Sequence, residues 1–242
     1  VRRMAVPSMN VGVIGVGYLG YHHARVYSEL SGVTLVGVSD IDGDRMRRAA
    51  SDFGTQEYPD YERMLEKTDA VSVAVPTKLH YAVGKRCLEA GVNVLIEKPL
   101  CAALQEADDL VTTANERGVT LQVGHIERFN GAVRRLAAVV SNPRFIECHR
   151  MSPYPSRGDD VGVVLDLMIH DIDIVLSMVK SPIAQVEAIG VPVFSAHEDI
   201  ANARLKFANG CVANLTASRI SVERMRKLRV FEPDAYISVQ YV

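Results

Sequence analysis

Val11-Gly-Val-Ile-Gly-Val-Gly-Tyr-Leu-Gly20 is the segment around which the first half of this 242-residue chain is organised. Its apolar residues predict one buried strand, and its glycines stand in the G-x-G-x-x-G spacing. In that motif Gly15 permits a tight turn, Gly17 lets a pyrophosphate approach the backbone, and Gly20 lets a helix pack closely on the sheet. The helix predicted over 18–30 offers its first N–H groups and its dipole to phosphates.

A second apolar strand, predicted over 33–39, ends at Asp40, which stands twenty residues after Gly20. From that position an acidic residue bonds the adenosine ribose of a bound dinucleotide. A carboxylate there also repels a 2′-phosphate, so the sequence predicts NAD as the cofactor and disfavours NADP. The alternative interpretation is an incidental glycine-rich turn, which leaves the flanking strands and the acidic residue unexplained.

The composition is that of an ordinary globular protein, with 48% apolar and 23% charged residues. The net charge of −2 argues against a nucleic-acid partner, because phosphate binding usually requires a basic excess. No apolar run approaches the ~20 residues that span a bilayer, and no apolar core follows Arg2 and Arg3 as in a signal peptide. We therefore expect a cytoplasmic protein. The four cysteines form no C-x-x-C motif, which predicts small buried thiols and no metal site.

Strands and helices alternate as far as Gly124, which predicts a doubly wound parallel sheet, that is, a dinucleotide-binding Rossmann domain over 1–124. Beyond it, two helices and several strand-like segments, one pair joined by Asn209-Gly210, predict an α+β domain over 125–242 with a mostly antiparallel sheet. The predicted strands are 11–16, 33–39, 70–75, 92–96, 119–123, 144–149, 186–193, 200–207, 212–220, 227–231 and 236–241. The predicted helices are 18–30, 43–53, 60–66, 79–90, 104–117, 127–140 and 163–179.

Two polar stretches follow predicted strands of the parallel sheet, at the edge where such sheets bind ligands. The first, Val75-Pro76-Thr77-Lys78-Leu79-His80, is interpreted as a loop over the cofactor, or as a proline-containing turn that begins a helix. In the second, Glu97-Lys98-Pro99, the lysine can donate to a substrate oxygen as a hydroxyl becomes a carbonyl. The alternative for this second stretch is a solvated ion pair at a strand end.

The predicted helix 163–179 carries a polar stripe on an otherwise apolar surface. Asp166, His170 and Asp173 recur at i, i+4 and i+7, so they share one face of the helix. Polar side chains on a buried helix need partners. His170 is a candidate general base near neutral pH, with Asp166 orienting its ring or binding substrate. A hydrogen-bonded core histidine is the alternative.

Four motifs, in their order and spacing, resemble those of the Gfo/Idh/MocA family of oxidoreductases over nearly the whole chain. They are the glycine motif, Val-Pro-Thr-x-x-His, Glu-Lys-Pro and Asp-x-x-x-His. The resemblance implies a Rossmann domain, a C-terminal domain with an open sheet, and hydride transfer between a nicotinamide cofactor and a hydroxyl-bearing carbon of a sugar or cyclitol. It implies that Lys98, Asp166 and His170 are catalytic. The expected cofactor-binding residues are Gly15, Gly17, Tyr18, Leu19, Gly20, Asp40, Pro76, Thr77, His80, Glu97 and Lys98.

Four longer segments, 123–130, 142–147, 166–173 and 200–205, are similar to the UDP-N-acetylglucosamine 3-dehydrogenase branch of that family. That branch makes the 3-keto sugar nucleotide that an aminotransferase converts for lipid A. The implied activity is NAD-dependent oxidation of the 3-hydroxyl of UDP-N-acetylglucosamine. The alternatives are a dehydrogenase of a free sugar or inositol, and a non-catalytic dinucleotide-binding regulatory protein.

A sugar-nucleotide substrate brings two phosphates, which arginine binds well because its planar guanidinium donates paired hydrogen bonds. We therefore expect at least one of Arg150, Arg157 and Arg219 to lie at the edge of the cleft that holds His170. The complete set of residues expected to bind substrate is Arg128, Arg150, Arg157, Asp173 and Arg219.

The end of the chain departs from the family pattern. The sequence stops at Val242, within a predicted strand, whereas family members usually continue with more sheet and a tail. Either the second sheet ends short or the sequence is incomplete at its C-terminus. The open sheet of the family also implies self-association, as a homodimer or homotetramer.

Overall fold

The computed structural model of the chain describes residues 8–154 and 161–241. It divides into two units, Val1–Gly124 and His125–Val242, and each unit has its own sheet and its own apolar core. No helix in the described part of the chain is long and apolar enough to cross a membrane.

A parallel sheet forms the centre of the first unit. Within residues 8–124 its strands are β1 (Met9–Ile14), β2 (Val33–Ser39), β3 (Gln56–Glu57), β4 (Ala70–Val73), β5 (Asn93–Ile96) and β6 (Leu121–Val123). Their order across the sheet is β3-β2-β1-β4-β5-β6, and every pairing is parallel. This order confirms the predicted Rossmann sheet. Only β3 was missed, because its two residues are polar and exposed and carry no apolar pattern.

Helices connect these strands, and local signals explain where several of them begin and end. They are α1 (Tyr18–Glu29), α2 (Gly43–Phe53), α3 (Tyr61–Leu65), α4 (Thr77–Glu89) and α5 (Leu104–Arg117). The Asp42 carboxylate accepts hydrogen bonds from the N–H groups of Asp44 and Arg45, at 3.0 and 3.1 Å, and so begins α2. Gly118, with a φ of +65°, ends α5 in the left-handed conformation that glycine adopts without strain.

The second unit has a mostly antiparallel sheet, as predicted. Its described strands are β7 (Phe145–Met151), β8 (Ile183–Val191), β9 (Ile200–Phe207), β10 (Val212–Ser218), β11 (Met225–Phe231) and β12 (Tyr236–Gln240), and its α-helices are α6 (Gly131–Val139) and α7 (Ile169–Met178). The order is β12-β11-β7-β10-β9-β8. The β7–β10 pair is parallel and the other pairs are antiparallel.

Burial alternates along β7, β9 and β10 of this second sheet and shows which face is covered, whereas β8 is exposed throughout. On β10, Ala213 and Leu215 are fully buried, whereas Asn214 between them is partly exposed. The buried residues form one apolar core with Leu136 of α6 and Ile174 of α7. The two helices therefore cover one face of the sheet, and polar side chains line the other.

The helix predicted over 127–140 is interrupted. A 3-10 turn, Ile126–Phe129, comes first, and α6 begins only after Asn130. The Asn130 side chain accepts a hydrogen bond from the N–H of Ala132 at 2.9 Å, so it caps α6. The prediction of one continuous helix was wrong because an apolar pattern can run across a capping residue without revealing the break.

The helix predicted over 163–179 is also not a single α-helix. Val164–Met168 is a π-helix, and α7 continues directly from it. The N–H of Val164 donates to the Glu198 carboxylate at 3.3 Å, which anchors the start of this segment. Short π-helical segments occur frequently at functional sites, and this one contains Asp166.

Candidate functional site

The three glycines of the first motif have three different surroundings. Gly15 has a φ of +84°, and a Cβ there would lie 2.8 Å from the backbone of Ala74. A Cβ at Gly20 would overlap the carbonyl oxygen of Gly15, so α1 packs directly on the turn. A Cβ at Gly17, in contrast, would meet no described atom within 4 Å. The first and third glycines are therefore needed by the fold, and the second leaves open space for a ligand.

The space at Gly17 lies at the N-terminus of α1. Gly17 is the residue that precedes the helix, and it has no side chain to accept from the first N–H groups. Tyr18 and Leu19, in the first turn, are 77% and 40% exposed. A positive helix end and free room for phosphate together fit the pyrophosphate of a dinucleotide such as NAD.

Asp40 lies at the end of β2 and is partly exposed. Its carboxylate accepts hydrogen bonds from the N–H of Val16 at 2.7 Å and from the N–H of Asp42 at 2.8 Å. Asp40 thus connects the glycine turn to the end of β2, a role that the sequence did not reveal. Each carboxylate oxygen has more than one lone pair, so both can still accept from ribose hydroxyls.

His80 joins two turns at the same edge of the sheet. Its ring nitrogens lie 2.7 Å from the Pro99 carbonyl oxygen and 2.9 Å from the Val75 carbonyl oxygen, and the residue is 1% exposed. Both nitrogens therefore have protein partners. The expectation of a direct cofactor contact by His80 does not fit this geometry, whereas Pro76 and Thr77 stand at the exposed start of α4.

Glu97 and Lys98 follow β5 but differ in exposure. Glu97 is 5% exposed, and its carboxylate lies 2.8 Å from Nε2 of His23 and accepts from the N–H of Lys98 at 3.3 Å. A Cβ at Gly124 would lie 2.9 Å from this carboxylate, so the chain after β6 also encloses it. Lys98 is partly exposed, and its peptide bond to Pro99 is cis. Of the pair, Lys98 is therefore the one that is exposed to solvent.

In the second unit, the polar stripe on the predicted catalytic helix divides in two. Asp166 and His170 are partly exposed. Asp173 is buried, and both its oxygens accept hydrogen bonds of 2.6 Å from Arg128. Arg128 and Asp173, both predicted to bind substrate, thus bind each other.

Arg150, another expected substrate ligand, is only 2% exposed. Its guanidinium donates to both oxygens of Asp171, at 3.0 and 2.8 Å. Burial by itself would lower the pKa of Arg150, but the hydrogen bonds and charge of Asp171 raise it above its ordinary value. The charge of Arg150 is therefore used inside the second unit. Its guanidinium is bound by Asp171, the residue after His170, and the expected position of Arg150 at a cleft edge stays a prediction.

Arg219 is also buried and bound within the second unit. It is fully buried, and it donates to the Asp199 carboxylate at 2.8 Å, to the Ser195 hydroxyl at 2.8 Å and to the Val161 carbonyl at 2.7 Å. These acceptors engage its guanidinium, and its expected position at a cleft edge stays a prediction. Arg157 lies outside the described residues.

The four cysteines are buried free thiols, as predicted. Burial raises the pKa of the Cys87 thiol to about 12 and that of the Cys101 thiol to about 11, so neither supplies a thiolate near neutral pH. Among residues 8–154 and 161–241, no three His, Cys, Asp or Glu side chains are placed to bind a metal ion together.

Comparison with known families matches both halves of the chain. Residues 9–125 match the sequence model described as "Oxidoreductase family, NAD-binding Rossmann fold". Residues 127–237 match the "GFO/IDH/MocA C-terminal domain".

Two curated relatives illustrate the range of similar proteins. The UDP-N-acetylglucosamine 3-dehydrogenase of Acidithiobacillus ferrooxidans is 40% identical over 235 residues, which cover 97% of this chain and 74% of the relative. The scyllo-inositol 2-dehydrogenase (NAD(+)) of Bacillus subtilis is 29% identical over 228 residues, covering 86% and 67%.

Solved structures agree with these matches. The crystal structure of the Acidithiobacillus ferrooxidans enzyme superposes with a TM-score of 0.90 at 39% identity and covers 96% of this chain and 77% of that one. GenD2 from gentamicin A biosynthesis, solved in complex with NAD, has a TM-score of 0.89 at 24% identity, covering 98% and 73%. The second likeness shows that the fold is shared.

Proposed function

This chain belongs to the Gfo/Idh/MocA family of NAD-binding oxidoreductases, and from that membership we propose that it oxidises the 3-hydroxyl of UDP-N-acetylglucosamine. The observation that carries the choice of substrate is the 40% identity, over 97% of the chain, with an enzyme of that activity. The open space at Gly17 and the carboxylate of Asp40 support the use of NAD, and Asp40 favours it over NADP.

The reaction removes a hydride from C3 and a proton from its hydroxyl, and leaves a ketone. NAD⁺, held at Gly17 and Asp40 when bound, would supply the acceptor for this hydride. His170 takes the hydroxyl proton as general base, and Asp166 orients its imidazole ring. The ammonium group of Lys98 donates a hydrogen bond to the same oxygen and stabilises the negative charge that develops on it.

The product of this reaction is a 3-keto sugar nucleotide. A ketone at C3 is the substrate that an aminotransferase requires to place an amino group there. On this basis we assign the chain to the supply of a 3-amino sugar nucleotide for lipid A. We also propose that it acts in the cytoplasm and that it assembles as a homodimer or homotetramer. Light scattering coupled to size-exclusion chromatography tests the assembly.

Oxidation of a free sugar or inositol is the second candidate function. Two observations support this second candidate. Several curated relatives are inositol 2-dehydrogenases, and Arg150 and Arg219, two of the expected phosphate ligands, are engaged by Asp171 and Asp199. A dinucleotide-binding regulator without turnover is a third candidate, and the presence of both Lys98 and His170 counts against it.

A substrate panel separates these candidates. The absorbance of reduced nicotinamide is followed with NAD⁺ and, in turn, UDP-N-acetylglucosamine, UDP-glucose, N-acetylglucosamine, myo-inositol and scyllo-inositol. Hydroxylamine traps the ketone and draws the reaction forward. We expect the largest kcat/KM with UDP-N-acetylglucosamine. A larger value with an inositol would establish the second candidate, and no reduction with any member would favour the regulator.

A further inference from the structure

We propose that His23 is a positioning residue for Lys98 and acts through Glu97. His23 lies in α1, directly behind the glycine turn, and its side chain is 17% exposed. Nothing in the sequence motifs assigns it a role. The proposal rests on the catalytic function proposed for Lys98, and its test includes a measurement that needs no substrate.

The two ring nitrogens of His23 reach two different strands. Nδ1 lies 3.0 Å from the hydroxyl of Ser72, a fully buried residue of β4. Nε2 lies 2.8 Å from the carboxylate of Glu97, at the end of β5. The Ser72 hydroxyl also lies 2.7 Å from the hydroxyl of Tyr27, one turn further along α1. These four side chains form a continuous polar chain between the first helix and the neighbouring strands.

The hydrogen-bond donors and acceptors of these four side chains match completely. If Tyr27 donates to the Ser72 oxygen, the Ser72 hydroxyl can donate to Nδ1 of a neutral His23. Nε2–H then donates to the ionised carboxylate of Glu97. Each member has its partner, and such fully satisfied buried networks are rigid. The hydrogen-bonded side chains of Tyr27, Ser72 and His23 therefore determine the position of the Glu97 carboxylate.

Glu97 in turn determines the backbone at Lys98. The N–H of Glu97 donates to the Val73 carbonyl at 3.0 Å, and its carboxylate accepts from the N–H of Lys98 at 3.3 Å. Gly124 approaches the same carboxylate so closely that a side chain there would displace it. Loss of the His23 bond would leave a buried carboxylate without the imidazole, and the turn that carries Lys98 would shift to satisfy it. A shift of 1 Å at a catalytic group can lower the rate by ~10²-fold.

Asparagine and glutamine at position 23 separate the two bonds of the imidazole. The amide oxygen of Asn can stand near the place of Nδ1 and accept from the Ser72 hydroxyl, and the amide nitrogen of Gln can stand near the place of Nε2 and donate to Glu97. His23→Gln therefore keeps a donor for Glu97, whereas His23→Asn keeps only the bond to Ser72. His22→Asn is the matched control, because His22 is the adjacent, exposed histidine of the same helix.

Steady-state kinetics gives the first readout. We expect His23→Asn to lower kcat roughly 10–100-fold, with the Kd for NAD changed by less than about twofold. His23→Gln should recover most of kcat, and His22→Asn should match the wild type. Thermal unfolding of each variant confirms that it is folded. Equal loss of kcat in the Asn and Gln variants would overturn the proposal, because a merely structural link would not depend on the bond to Glu97.

The second readout is the NMR signal of Lys98 after reductive ¹³C-methylation, assigned with Lys98→Arg. His23→Asn and Glu97→Gln should both move this signal, and His23→Gln and His22→Asn should leave it in place. Glu97→Gln tests the same bond from its other partner if His23→Asn does not fold. An unmoved signal in folded variants would overturn the proposal. Absence of turnover in the wild type would contradict the proposed function alone, because this signal is measured without substrate.

Discussion

Arg128 donates two hydrogen bonds of 2.6 Å to Asp173, one from Nε and one from Nη2, so that both oxygens of a buried carboxylate are bound by one guanidinium. Asp173 belongs to α7, and Arg128 belongs to the 3-10 turn before α6. The pair therefore connects the helix that carries His170 to a segment 45 residues earlier in the chain.

The bidentate geometry of this pair predicts a difference between arginine and lysine. Arg128→Lys keeps the charge but cannot donate two parallel hydrogen bonds, so one oxygen of buried Asp173 loses its partner. We expect the free energy of unfolding in urea to fall by about 1–3 kcal/mol. Arg135→Lys, at an exposed position of α6, is the control and should change it by less than about 0.5 kcal/mol. Equal effects of the two substitutions would show that the second hydrogen bond contributes nothing.

Asp199 predicts how stability depends on pH. Burial alone raises the pKa of its carboxyl, but hydrogen-bond donors outweigh burial and leave the pKa well below its ordinary value. The donors are the N–H groups of Val193, Phe194 and Ser195 and the guanidinium of Arg219. A depressed carboxyl pKa stabilises the folded state fully above the unfolded value of about 3.9, and this stabilisation is lost as pH falls toward the folded pKa.

Urea unfolding of Asp199→Asn tests this dependence. At pH 7 the variant should be less stable than the wild type, and the gap between them should narrow with each step below about pH 4. Asp108→Asn, at an exposed position of α5, should have the same stability as the wild type at pH 7 and at pH 3. A gap that stays constant from pH 7 to pH 3 would contradict the depressed pKa.

Gly17 and Gly20 predict opposite results of the same substitution. Gly17 has a φ of −64°, and a Cβ there meets open space, so Gly17→Ala should fold normally. Its methyl group would occupy the space in which we expect the pyrophosphate to lie, so NAD should bind at least ~10-fold more weakly. Gly20→Ala places its methyl group on the Gly15 carbonyl and should destabilise the fold by about 1–3 kcal/mol or more.

Calorimetric titration with NAD and urea unfolding measure the two effects separately. Gly131→Ala is the control, because a Cβ there also meets no described atom within 4 Å. Gly131→Ala should change neither the affinity for NAD nor the free energy of unfolding by much. Unchanged NAD affinity in Gly17→Ala would mean that the cofactor does not approach the backbone at this turn.

The catalytic role proposed for Lys98 predicts that replacing it lowers kcat without weakening the binding of the cofactor. Lys98→Met removes the ammonium donor and keeps much of the side-chain volume. We expect kcat to fall by at least ~10²-fold while the Kd for NAD changes little, because the bond to the substrate oxygen strengthens as charge develops. Lys180→Met, at an exposed position after α7, is the control. Near-normal turnover in Lys98→Met would leave this lysine with a structural role.

The sequence alone determined the fold class and many of the elements. The bounds predicted for α2, α5, β2 and β9 agree with the structure at both ends. Local chemistry explains this success, since Asp42 caps α2 and Gly118 ends α5 in conformations that neighbouring residues decide. The glycine spacing and the acid at Asp40 likewise lie within one strand-helix-strand unit, so the motif could be recognised without knowledge of the fold.

Only the tertiary structure decided which polar side chains bind one another. His23 and Glu97 are 74 residues apart, and Arg219 and Asp199 are brought together by the pairing of β9 and β10. Apolar periodicity shows which face of a helix or strand is buried, but it carries no information about which buried face meets which. A charged side chain that looks available in the sequence is therefore bound internally whenever folding places an opposite charge beside it, because a buried charge without a partner is strongly destabilising.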